Sequence, residues 1–252
     1  MIDPSLEAFI DYWRPVSRSE ELAPRHVAQS QLLGQEIALW RADDGVVNAW
    51  ENRCPHRGVR LSIGINTGQA LKCQYHAWRF SSGDGRCAFI PAHASLPPPQ
   101  AIGVKTYAAA ERDGFVWVCL GAAGPPTFAP FSDDLAGLTQ RSVFVEAPFS
   151  RVAAHLAADY SFAPDVGVAP DAAPMAARMT RLDPLNLEAV AMANGVEARM
   201  RLMLQPVSEG RTVIHATLSA PIEVARRLAV LRHHSVRLGA VRDAAQAADT
   251  RV

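Results

Sequence analysis

Two short segments constrain this chain more than anything else in it. Cys54-Pro55-His56-Arg57-Gly58 and Cys73-Gln74-Tyr75-His76-Ala77-Trp78 each offer one thiolate and one imidazole, with sixteen residues between His56 and Cys73. Four soft or borderline ligands on two loop tips define a metal site. The C-x-H and C-x2-H spacings suit a binuclear iron–sulfur centre in which one iron takes both thiolates and the other both imidazoles, so that each loop serves each iron. A zinc finger pairs its ligands by type instead, but a mixed Cys2His2 zinc site stays chemically open at this point.

The frame around these loops reads as short strands. Glu36 to Arg41, a turn at Asp43-Asp44-Gly45, Val46 to Trp50 and later Gly114 to Leu120 predict a small antiparallel β domain, entered through a short helix over Leu6 to Trp13. Gly121-Ala122-Ala123-Gly124-Pro125-Pro126 cannot continue a helix or a central strand. It places a boundary between residues 1–120 and 121–252, and a chain of 252 residues is long enough for two small cores. Beyond it the chain is Ala-rich and Cys-free. A helix over Val152 to Tyr160, strands over Leu185 to Ala193, Glu197 to Leu204 and Thr212 to Ser219, and a last helix from about Pro221 give this half an α+β character.

Charge excludes some functions. The 25 basic side chains balance 25 acidic ones, so no excess field points at nucleic acid or an anionic membrane. No apolar run is long enough to span a bilayer and the start lacks a secretion signal, so a cytoplasmic location is expected. Cysteines at 54, 73, 87 and 119 are too few for a disulfide scaffold. Cys87 and Cys119 read as small buried hydrophobes, and Trp50, Trp78 and Trp117 as core rather than cofactor contacts.

Trp13-Arg14-Pro15-Val16, the two ligand loops, Phe80 and Gly85-Arg86-Cys87-Ala88-Phe89-Ile90-Pro91 together resemble the Rieske non-haem iron oxygenases, the aromatic-ring-hydroxylating and demethylating enzymes of bacteria. The resemblance covers about 110 residues. It implies a Rieske-type 2Fe-2S cluster held by Cys54, His56, Cys73 and His76, followed by an α+β, helix-grip-like oxygenase domain that is shortened here. Ala77 departs from the family, which usually has glycine after the second histidine; a positive φ there would strain the loop. Respiratory Rieske proteins add two cysteines that form a disulfide beside the cluster. Val59 and Gln74-Tyr75 stand in that region, and Ala77, Trp78 and Arg79 bring no serine hydroxyl to the sulfurs, so a low potential is expected.

The second half departs further. The family holds a mononuclear iron in a facial triad, with the motif N-x-x-D-x-x-H-x-x-x-x-H. Leu156 to Gly167 is the segment that looks like it: Asp159 falls on the aspartate, but Phe162 and Gly167 stand where the histidines belong. Mononuclear iron is therefore expected to be absent, and Asp159 keeps at most an electron-bridging role towards a neighbour's cluster. A rearranged site could use His155 with Asp159, at i and i+4 on one helix face, plus His215, His233, His234 or Asp165. The bland reading makes His155 and His233-His234 solvated or capping residues, and the run Arg226, Arg227, Arg232 and Arg237 a solvated helix face.

The resulting expectation is a Rieske electron-transfer subunit of a multicomponent oxygenase. It passes electrons from a ferredoxin or flavin reductase to the mononuclear iron of a partner oxygenase subunit, in a trimer or a hexameric hetero-oligomer. It is an oxidoreductase component that is not competent alone. The alternatives are a complete Rieske monooxygenase or demethylase with rearranged ligands, and a structural or regulatory iron–sulfur subunit.

Overall fold

The structure, a computed structural model, describes residues 2–122, 124, 137–162, 175–193, 196–219 and 222–247. The chain divides into two compact units, Met1–Thr127 and Phe128–Val252.

The first unit is antiparallel β throughout. Its strands are β1 (Arg14–Arg18), β2 (Val27–Leu32), β3 (Gln35–Arg41), β4 (Val47–Glu51), β5 (Ile65–Asn66), β6 (Ala70–Lys72), β7 (Arg79–Ser81), β8 (Cys87–Phe89), β9 (Thr106–Arg112) and β10 (Phe115–Cys119). Six of them form a sheet in the order β1-β10-β9-β4-β3-β2, and the other four a smaller sheet in the order β5-β6-β7-β8. The smaller sheet carries the second ligand loop on its central hairpin, β6 to β7. Trp40 and Trp50 meet edge to face at 5.1 Å in a core shared with Leu61, Leu71, Phe80 and the two loop cysteines, Cys54 and Cys73. Each large apolar side chain enclosed there contributes about 1.5–3 kcal/mol, so the thiols are anchored in a well-buried core.

The helix expected over Leu6 to Trp13 is instead a 3-10 helix, Pro4–Phe9. Asp3 caps it by accepting from the Ser5 amide, and Pro4 sets its first turn. Asp11 and Trp13 are drawn away by other partners: the Asp11 carboxylate accepts from the Ala122 amide at 2.8 Å, and Trp13 Nε1 donates to the Gly124 carbonyl at 3.2 Å.

The second unit is α+β. β11 (Leu138–Thr139), β12 (Val143–Val145), α1 (Phe149–Asp159), β13 (Ser161–Phe162), β14 (Met175–Ala176), β15 (Arg178–Asp183), β16 (Asn186–Ala193), β17 (Val196–Ser208), β18 (Arg211–Ser219) and α2 (Arg227–Ala247) follow in turn. The main sheet runs β11-β18-β17-β16-β15, with β12 also on β18, and β13 pairs with β14 apart from it. β17 runs past the expected stop at Leu204. Pro206 still pairs with Thr212, and a register shift before Ser208 absorbs the missing amide donor. Pro221 lies outside the described residues, and α2 is preceded by a 3-10 turn, Val224–Arg226. Among the described residues no helix is long and apolar enough to cross a membrane.

Candidate metal centre

The two ligand loops are the same backbone device used twice. In the first, the Cys54 amide donates to the Val59 carbonyl and the Gly58 amide to the Cys54 carbonyl, both at 2.8 Å. In the second, the Cys73 amide donates to the Trp78 carbonyl at 2.8 Å and the Ala77 amide to the Cys73 carbonyl at 3.1 Å. Each loop closes through a left-handed residue, Gly58 at φ 68° and Ala77 at φ 56°. The repeat is legible in the chain as equal spacing, Cys54 to Gly58-Val59 and Cys73 to Ala77-Trp78, once the loops rather than the ligands are aligned.

This geometry sorts the four side chains by depth. Cys54 and Cys73 are buried, while His76 is exposed and His56 partly so. The two imidazole Nδ1 atoms lie 3.1 Å apart, the separation expected when one metal binds both at near a right angle with bonds of about 2.1 Å. The thiols form a second pair: Cys54 interacts with Cys73 and also accepts from the backbone N–H groups of His56 and Arg57. Among the described residues no three His, Cys, Asp or Glu side chains gather as a group able to hold a single ion. Two pairs at two depths match a binuclear cluster better than one four-coordinate zinc. Burial pushes the Cys54 thiol up to about 11, so assembly of a cluster must displace that proton. Desolvation, then the charges of His76 and Arg57, hold His56 below its ordinary value.

Trp78 packs against the core, as expected, and is also a contact of the site. It is half-buried and lies flat on the His56 ring, with centroids 4.3 Å apart and planes 5° apart. Tyr75 sits against His76 at 3.8 Å and is itself 60 % exposed. Trp50 and Trp117 are buried, as are Cys87 and Cys119.

Two histidines of the second unit, His215 and His234, are engaged in hydrogen bonds within the protein. His215, on β18, is 2 % exposed; its Nε2–H donates to Gln205 Oε1 at 2.7 Å, which leaves Nδ1 to accept from the Ser142 hydroxyl at 2.9 Å. His234 is not a solvated residue as expected but fully buried, because it falls on the inward stripe Val230, His234, Leu238, Val241 and Ala245 of α2. Its Nδ1 lies 2.7 Å from the Tyr160 hydroxyl. His233 is partly buried beside it, with desolvation first and then the charge of Arg237 lowering its pKa. Arg227 and Arg232 are exposed, and Arg226 and Arg237 are half-buried. His155 is half-exposed on α1. Asp159 closes α1, but its side chain and that of Phe162, together with Asp165 and Gly167, lie outside the described residues.

Comparison with known proteins places these features. The family described as the Rieske [2Fe-2S] domain matches residues 12–108. The chain is 54 % identical over 112 residues to the oxidoreductase NdmD of Pseudomonas putida, a stretch that is 44 % of this chain and 19 % of that protein. It spans only about a fifth to two fifths of the lengths of the curated relatives it matches. Its fold follows that of NdmA from Pseudomonas putida CBB5 with a TM-score of 0.74 at 21 % identity, over 96 % of this chain and 82 % of that one. Dicamba monooxygenase bound to dicamba gives 0.78 at 21 %, over 96 % and 88 %. Residues 12–108 thus form a Rieske [2Fe-2S] domain, and the chain shares its overall fold with NdmA and dicamba monooxygenase.

Proposed function

We propose that this chain is the Rieske electron-transfer subunit of a multicomponent oxygenase. Cys54 and Cys73 would hold the inner iron of a 2Fe-2S cluster and His56 and His76 the outer one. When bound, such a cluster supplies one-electron transfer. The observation that carries the reading is the pair of imidazole Nδ1 atoms 3.1 Å apart at an exposed tip, above two thiols enclosed in the core. The buried cysteines keep water from the sulfur end. The histidines present the outer end to a partner, with Trp78 fixing the plane of His56. Similarity of the Rieske part to a protein named an oxidoreductase supports a role in electron supply.

The same reading denies this chain a mononuclear iron of its own. Phe162 and Gly167 replace two ligands of the family motif, and His215 uses both ring nitrogens in protein hydrogen bonds. The electron is then delivered to an oxygenase subunit that carries the iron, after arriving from a ferredoxin or flavin reductase. A trimer or a hexamer of two chain types is the natural assembly.

Co-expression with the oxygenase chain that copurifies from the native host tests this. Cys73→Ser is expected to remove the cluster's visible absorption and abolish turnover while the complex still assembles. Full turnover by the assembled, cluster-free variant would make the chain a scaffold and overturn the proposal.

A further inference from the structure

The chain is electrically neutral as a whole, yet its charges are not evenly placed. From Asn52 to Gly83, the stretch that contains both ligand loops, there are five cations, Arg53, Arg57, Arg60, Lys72 and Arg79, and no carboxylate. Arg53 and Arg60 share a single acid from outside the stretch, Glu36, at 3.1 and 2.6 Å. Arg57, Lys72 and Arg79 have no ion pair among the described residues. Arg57 is exposed in the first loop, next to His56. Lys72 and Arg79 flank the second loop and stand directly opposite each other across β6 and β7. Like charges in that position destabilise a hairpin by a few tenths of a kcal/mol or more, and no local carboxylate offsets it. Between these cations the tip presents Tyr75, a largely exposed aromatic of the kind that anchors interfaces.

We propose that this face docks an acidic protein surface, that of the partner which exchanges electrons at the paired imidazoles. The inference rests on the electron-transfer reading above and adds the chemistry of the partner. The guanidiniums of Arg57 and of Arg79, which lies over the Phe89 ring at 4.9 Å but has no carboxylate partner among the described residues, and the Lys72 ammonium steer carboxylates towards the tip, and Tyr75 supplies the apolar contact once they arrive.

Two haem proteins of opposite charge test it without the native partner in hand. The chain, loaded with its cluster, is reduced, freed of reductant and mixed in stopped flow with ferric cytochrome b5, which is acidic, or ferric cytochrome c, which is basic. One electron passes from the protein to the ferric haem, which becomes ferrous, with no bond formed or broken. Between about 10 mM and 300 mM salt the screening length falls from about 30 Å to under about 10 Å. The second-order rate with cytochrome b5 is expected to fall about tenfold or more, and that with cytochrome c to rise. Lys72→Glu combined with Arg79→Glu should lower the low-salt rate with cytochrome b5 about tenfold, speed that with cytochrome c, and leave the high-salt rates nearly equal.

Rates independent of salt for both probes, or the opposite dependence, would overturn the proposal. So would a charge-reversed variant that keeps its rates but changes its sedimentation mass, since the face would then join two copies of this chain. Iron and sulfide are counted beforehand. A chain that takes up no cluster sinks the electron-transfer reading and the docking face together, whereas a loaded chain with salt-independent rates sinks the docking face alone.

Discussion

Two residues sit where their chemistry is least comfortable. Ala77 holds φ at 56°, where a Cβ crowds the carbonyl and costs roughly 1–2 kcal/mol relative to glycine. Its counterpart in the other loop, Gly58, meets the same demand without penalty. Ala77→Gly is expected to stabilise the first unit by about 1 kcal/mol with the cluster retained, read as a raised denaturation midpoint; a lowered midpoint would mean that the methyl group packs favourably enough to outweigh the strain. His234 is the second. Burial first, then the neighbouring His233, lowers its pKa to about 3, and Tyr160 and Arg237 complete its surroundings. Its folded pKa lies below the unfolded value near 6.5, so its neutral form contributes fully above about pH 6.5 and that contribution is lost as pH falls towards 3. The melting temperature of the second unit should therefore drop between pH 7 and pH 5, and His234→Gln should flatten the dependence even if it lowers the whole curve. An unchanged slope in the variant would move the effect elsewhere.

At the scale of elements, the two loops are the parts that would hold a cluster and set its tuning. The donors to the Cys54 sulfur are backbone N–H groups of His56 and Arg57, and no serine hydroxyl follows His76. Fewer donors stabilise the reduced, more negative state less, so the midpoint potential is expected below about 0 mV, towards the lower end of the Rieske range. A redox titration near +300 mV would contradict that. Much of this was legible in the chain because ligand spacing and turn residues are local. The strands at Glu36, Val46 and Gly114 and the helix at Val152 were visible for the same reason. What was not legible depends on long-range packing: Asp11 and Trp13 are pulled out of a helix by residues 122 and 124, and Trp78 is drawn onto a ring twenty-two positions earlier. His234 was misread because its neighbours in sequence are basic while its neighbours on the helix stripe are apolar.

The whole molecule joins a Rieske domain to a second unit that shares its fold with dicamba monooxygenase and whose buried histidines, His215 and His234, are engaged in hydrogen bonds within the protein. That combination is what a subunit needs if it delivers electrons to an iron held by another chain. The most direct test is the count of iron and acid-labile sulfide in the purified, reconstituted chain, with a chelator wash to remove loosely held metal. Two irons and two sulfides per chain are expected, falling to none in Cys54→Ser. Three irons and two sulfides, with the third iron retained through the wash, would place an oxygen-activating centre inside this chain and contradict the account.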